Sequence, residues 1–210
     1  MTYAVKELFL TLQGEGVQSG SRAVFLRFSG CNLWSGREQD RASAQCTFCD
    51  TDFVGTDGQG GGKFASDDAL AEAVATEWGD GVDDRLVVIT GGEPMLQLDS
   101  PLIDALHERG FRVAIETNGT LPVAPGLDWV CVSPKSGTDV VQRSGNELKL
   151  VWPQAGIDLR ELESWDFQHF LVQPMDCLER ETSIEAAIRL AMERPKWKLS
   201  LQSHKLLGLP

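Results

Sequence analysis

The stretch LVVITGGEP, residues 86–94, is a short apolar and β-branched run that breaks into two glycines, a carboxylate and a proline. A run this short, without alternation, reads as a strand covered on both faces, and its polar tip reads as the loop beyond the strand's C-terminal end. The same unit recurs in both directions along the chain. Residues 23–29 (AVFLRFS) run into Gly30 and Cys31, 112–117 (RVAIET) into Asn118, 129–133 (WVCVS) into Pro134 and Lys135, and 169–173 (HFLVQ) into Pro174, Met175 and Asp176. LKLVW (148–152) and WKLSLQ (197–202) complete the expected strands.

Between these runs the apolar spacing turns helical. Leu70, Ala73, Val74 and Trp78 follow the polar SDD. A second helix is expected with Ser100 as N-cap, Pro101 in the first helical position and Gly110 as its stop. A third is expected from Thr182, with Glu185 at capping-box distance and Ile184, Ala187, Ile188 and Ala191 as its stripe. Strand alternating with helix predicts an α/β fold of βα units around a parallel sheet. In such folds the C-terminal strand ends share one rim, so the polar groups after these strands and the loop containing Cys31 are expected to face one another.

At 210 residues and 42% hydrophobic content, a single domain spanning 1–210 is expected. The net charge of −12 argues against nucleic acid as a partner, because neutralising many phosphates needs clustered Lys and Arg. No run approaches the ~18 apolar residues of a membrane span, and no basic segment leads into a long apolar one near the N-terminus. A cytoplasmic protein with no membrane partner is therefore expected.

Three of the five cysteines lie in GCNLWSGREQDRASAQCTFCD (30–50), with fourteen residues between Cys31 and Cys46 and two between Cys46 and Cys49. An odd count without a leader segment disfavours a disulfide framework and favours metal or redox chemistry. Structural zinc wants four closed ligands, and His107, His169 and His204 lack ligand spacing to the cluster. An iron–sulfur cluster held by three thiolates would keep one iron open to an exogenous ligand. Cys131, inside WVCVS, and Cys177 read as small packing residues. Gly62-Lys63 is no phosphate loop, because Asp57 replaces the first glycine and Phe64 the Ser or Thr.

The pairing of Cys31 with CTFC (46–49), followed by Gly91-Gly92-Glu93-Pro94 after the next strand, resembles the radical S-adenosylmethionine (radical SAM) enzymes. The fourteen-residue gap departs from that superfamily's usual three. Together with LFLTLQGEGVQSGSRAVFLRFSGCNLW, CDTDF, VVITGGEPMLQ, AIETNGT, VSPK and LVQPMD, it is similar to the 7-carboxy-7-deazaguanine synthase branch. The resemblance implies a shortened (β/α) part-barrel with an expanded cluster-binding loop, in which 32–45 is a small folded insertion containing a helical turn that shields the cluster. It implies one [4Fe-4S] cluster on Cys31, Cys46 and Cys49, with S-adenosylmethionine and Mg²⁺ as further cofactors. The implied activity is conversion of 6-carboxy-5,6,7,8-tetrahydropterin to 7-carboxy-7-deazaguanine with loss of ammonia, in queuosine-type 7-deazapurine biosynthesis. A 5′-deoxyadenosyl radical would abstract the substrate hydrogen, so no residue is assigned as acid or base. An electron donor such as flavodoxin or ferredoxin, and a homodimer, are implied as well.

By the same resemblance, Phe48, Cys49 and Asp50, Gly92 with Glu93, Ser133, Pro134 and Lys135, Gln173, Pro174, Met175 and Asp176, and also Glu116, would contact S-adenosylmethionine. Glu93 and the adjoining backbone would receive its ammonium. On the substrate side, Arg27 offers a planar guanidinium to a carboxylate. Leu12, Gln13, Gly14 and Glu15 supply an amide and a carboxylate for a pterin edge, Thr90 adds a hydroxyl, and His204 and Pro210 match family positions nearby. Thr51 matches a magnesium ligand. Two other readings stay open at this level: a radical activase acting on a protein, and a non-catalytic metal-binding scaffold.

Overall fold

Successive side chains of a strand point to opposite faces of a sheet, and here the two faces are covered differently. A computed structural model describes residues 2–81 and 83–210. Among them, nine strands form one sheet in the order β3-β1-β2-β4-β5-β6-β7-β8-β9. The strands are β1 Tyr3–Leu12, β2 Arg22–Phe28, β3 Gly62–Phe64, β4 Leu86–Gly91, β5 Arg112–Thr117, β6 Trp129–Val132, β7 Ser144–Trp152, β8 Asp166–Pro174 and β9 Trp197–Leu199. From β2 through β9 every pairing is parallel; β1 is antiparallel to β2 and β3. The sheet ends in two edges, β3 and β9, so it is an open part-barrel.

The helices are α1 Asp67–Trp78, α2 Ser100–Glu108, α3 Leu159–Glu163, α4 Arg180–Glu193 and α5 Ser203–Leu207. Leu70, Val74 and Trp78 of α1, Leu102, Ile103 and Leu106 of α2, and Ala187 and Leu190 of α4 close on Val24, Leu26, Ile89, Ile115, Leu148 and Val172 of the sheet. Burying each such Leu, Ile or Val fully contributes about 1.5–3 kcal/mol. The opposite face changes character along β2, β4, β5 and β6. Near the N-terminal ends it carries a small apolar layer of Ala23, Leu86, Val88 and Ala114 with Phe25 and Trp129. Toward the C-terminal ends the same face presents Arg27, Thr90, Glu116, Lys149 and Gln173, which line a cavity.

Several boundaries differ from the expectation. β1 was not anticipated: a bulge between Val5 and Glu7 breaks the period of two, so Lys6 is buried beside Val5. β7 and β8 are longer than their apolar cores, and β9 stops at Leu199 instead of continuing to Gln202. After the Ser200 amide bonds the Val172 carbonyl at 2.8 Å, the chain leaves the sheet and the Ser203 amide bonds the Gly14 carbonyl at 2.9 Å. Asp99, not Ser100, caps α2, its carboxylate accepting from the Leu102 amide. α4 begins at Arg180 and no side chain caps it, so the Thr182–Glu185 box does not form. Its inward stripe is Ser183, Ala187 and Leu190, leaving Ile188 exposed.

Candidate active site

β2 ends at Phe28, and Gly30, at φ 92°, turns the chain into the cysteine loop. The Gly30 amide bonds the Phe53 carbonyl at 3.1 Å, and its carbonyl accepts from the Glu93 amide at 3.0 Å, joining this turn to the turn after β4. The joint needs glycine at 92, since a Cβ there would overlap the Gly30 carbonyl and lie 2.5 Å from the Cys31 Cβ. Cys31, Cys46 and Cys49 all line one cavity of about 420 Å³. All are free thiols. A hydrogen bond from Cys46 and a backbone donor pull Cys49 down to about 6 against its burial, while burial pushes Cys31 up. Among the described residues no three His, Cys, Asp or Glu side chains converge to hold a single metal ion. Three soft thiols lining one cavity fit an iron–sulfur cluster, which they would hold as thiolates, better than a single hard metal ion.

The insertion 32–45 contains the expected helical turn as a 3-10 segment, Glu38–Ser43. Leu33 and Trp34 are buried, and the Trp34 ring packs edge-on against Phe53 with centroids 5.6 Å apart.

On the side expected to take S-adenosylmethionine, Phe48, Asp50, Gly92, Glu116, Ser133, Lys135, Gln173, Pro174, Met175 and Asp176 line the cavity. Glu93 and Pro134 stand behind it. Glu93 is fully buried, its Oε1 accepting from the Met95 amide at 2.9 Å and the Thr117 hydroxyl at 2.8 Å, its Oε2 from the Asn118 amide at 2.9 Å. Burial pushes its carboxyl up against these donors. Instead of reaching into the cavity, Glu93 holds the turns after β4 and β5 together. The Pro134 carbonyl accepts from Gln154 at 3.4 Å. Lys135 donates to the Ser133 carbonyl and hydroxyl, each at 2.7 Å, and burial lowers its pKa. It is a desolvated donor on the wall.

On the expected substrate side, Leu12, Gln13, Gly14, Glu15, Arg27, Thr90, His204, Pro210 and the magnesium candidate Thr51 share the same cavity. Arg27 and Thr90 are Cα partners across the β2–β4 pair. The Arg27 Nε donates to Glu7 at 2.6 Å, which fixes the guanidinium and leaves its terminal nitrogens for a ligand. QGEG sits in the connection of the β1–β2 hairpin, with Gln13, Gly14 and Glu15 also on the cavity wall.

Lys149, Gln202, Lys205 and Glu7 were missed by sequence reasoning and all line the cavity. Lys149, 4% exposed, bridges Glu15 at 2.6 Å and Glu116 at 3.1 Å. Although burial opposes it, Lys149 holds the Glu15 carboxyl down at about 2. Lys205 bridges Asp50 at 2.6 Å and Asp176 at 2.5 Å. The one available signal was a lysine inside the apolar run LKLVW; nothing in the tail sequence marked Lys205.

The sequence pattern of the Radical SAM superfamily matches residues 39–150. A 7-carboxy-7-deazaguanine synthase of Caulobacter vibrioides is 61% identical over 210 residues, covering 100% of both chains. One of Bordetella pertussis is 60% identical over the same length and coverage. The crystal structure of QueE from Escherichia coli superposes with a TM-score of 0.72 at 29% identity, covering 97% of this chain and 95% of that one. A protein-acting activase and a non-catalytic scaffold are not favoured by these matches.

Proposed function

The chain belongs to the 7-carboxy-7-deazaguanine synthase family of the Radical SAM superfamily, and we propose from this how its residues divide the work of converting 6-carboxy-5,6,7,8-tetrahydropterin to 7-carboxy-7-deazaguanine. One observation supports the division: three thiols, the half-buried Lys135, the buried Lys149 and a fixed guanidinium border a single cavity. The superfamily implies a [4Fe-4S] cluster and S-adenosylmethionine, which together supply reductive cleavage and hydrogen abstraction when bound.

Cys31, Cys46 and Cys49 hold the cluster, and the interlocked Gly30–Gly92 joint keeps Cys31 at a fixed distance from the glycine turn. Gly92 and the adjoining backbone face the cofactor's amino-acid end, with Glu93 bracing them from behind. Lys135, Ser133 and the segment from Gln173 to Asp176 bind its remaining polar groups. Arg27 holds the pterin carboxylate, because a guanidinium pinned by Glu7 needs no reordering to accept it. Gln13 and Glu15 read the donor and acceptor edge, and Lys149 keeps Glu15 ionised as an acceptor. Thr90, His204 and Pro210 complete the substrate wall. Thr51, on the cavity wall, would offer its hydroxyl to Mg²⁺.

The chain acts as one domain and as a cytoplasmic homodimer that takes electrons from a flavodoxin or ferredoxin. No described helix is long and apolar enough to cross a membrane. Exposed Leu199 and Leu201, on and just after β9, support a second copy covering that edge.

The test is anaerobic reconstitution with iron and sulfide, then reductant, S-adenosylmethionine and the carboxytetrahydropterin. Production of 5′-deoxyadenosine and 7-carboxy-7-deazaguanine is expected. Absence of both despite an intact cluster would sink the proposal.

A further inference from the structure

We propose that Arg41, within the segment between Cys31 and Cys46, is a positioning residue that holds the CTFC turn in its ligand-ready shape before any cluster is present. The proposal rests on Cys46 and Cys49 being cluster ligands. The Arg41 Nε donates to both carboxylate oxygens of Glu38, at 2.9 and 2.8 Å. One terminal nitrogen donates to the carbonyls of Thr47 and Cys49, each at 3.0 Å. The guanidinium lies over the Trp34 ring, 4.1 Å from its centroid.

Trp34 is itself anchored. Its indole N–H donates to the Arg37 carbonyl at 3.2 Å and its ring packs on Phe53. The Leu33 carbonyl closes the base of the insertion, accepting from the amides of Gln45 at 3.1 Å and Cys46 at 3.4 Å. A long loop costs more entropy to close than a short one. Residues 44–53 lie outside helix and strand, so little regular structure orders the two ligands. One planar cation that fixes the carbonyls on either side of Phe48 orients two peptide planes, and with them the directions in which Phe48 and Cys49 leave the backbone. An exposed Arg–Glu pair alone is worth little. The stacked ring and two backbone acceptors are what make the guanidinium a brace. Lysine could keep the charge but could not stack flat and donate to Glu38 and both carbonyls together.

The experiment compares Arg41→Gln and Arg41→Lys with the unaltered full-length chain in two measurements. Hydrogen–deuterium exchange on the cluster-free protein should show peptides spanning 44–52 exchanging about tenfold faster in Arg41→Gln, with the sheet unchanged and Arg41→Lys intermediate. After reconstitution, iron loss to a chelator should accelerate by about the same factor, and the resonance of the reduced cluster should broaden. A purely structural role would raise exchange along the whole chain and leave that resonance unchanged. Unaltered exchange at 44–52 together with unaltered iron loss in Arg41→Gln would overturn the proposal. Should Arg41→Gln not fold, Glu38→Ala removes only the anchor of the guanidinium and carries the same two measurements, with the same overturning result. A chain that takes up no cluster at all would defeat the proposed function, while the exchange measurement would still decide the role of Arg41.

Discussion

Lys149 stays charged at 4% exposure because Glu15 and Glu116 flank it at 2.6 and 3.1 Å. Burial disfavours the ammonium, but the two carboxylates outweigh it and raise its pKa well above the ordinary value. Lys149→Met would leave two carboxylates facing each other without their cation, and should cost about 3 kcal/mol in chemical denaturation of the cluster-free protein. The sign of the pH dependence follows from Glu15. Its folded pKa of about 2 lies below its unfolded value, so its contribution is complete above about pH 4.5 and is lost as pH falls toward the folded value. Denaturation midpoints should fall over that window, and Glu15→Gln should flatten the fall. At Gly14 a Cβ would overlap the His204 ring and lie 2.7 Å from its Cβ and Cγ. Gly14→Ala should therefore push the tail outward and raise KM for the pterin about tenfold while changing KM for S-adenosylmethionine far less. Arg27 and the three clustered cysteines stood out in the sequence by their chemistry, and all four line the cavity. Lys149 was not singled out, because a lysine in a strand reveals its charge but not the acids that other strands bring beside it.

The segment after β9 shows the same limit for an element. WKLSLQ looks like one strand, yet the chain leaves the sheet at Ser200 to bring α5 and Pro210 to the cavity. Polar contacts hold this segment: Ser203 to the Gly14 carbonyl, Gln202 to Glu15 at 2.9 Å, and Lys205 to Asp50 and Asp176. Leu206 and Leu207 remain 64% and 67% exposed, so the segment buries little apolar area. A chain ending at Gln202 should keep its far-UV circular dichroism and lose at most a few degrees of thermal midpoint, while pterin turnover disappears. Elements with strong periodicity, such as α1 behind its Ser66 cap, were legible. β1 was not, because its bulge hides the alternation that would have marked it.

Across β2, β4, β5 and β6 the sheet is apolar on both faces near the N-terminal strand ends, and toward the C-terminal ends one face turns polar and lines the cavity. This gradient explains why the strand runs looked continuous in sequence and why their chemistry collects at one rim. The β9 edge and the apolar residues around it remain open in a single chain, and sedimentation equilibrium should return twice the chain mass. By itself the sequence determined the parallel βα order, the rim on which the polar groups gather and the three-thiol set, because strand period, helix spacing and cysteine spacing are local properties. Only the tertiary structure decided that Glu93 braces the wall from behind, that Lys149 joins Glu15 to Glu116, and that the tail returns to Gly14. Each of these depends on contacts between residues distant in the chain, and burial and ion pairing are set by what packs alongside a residue.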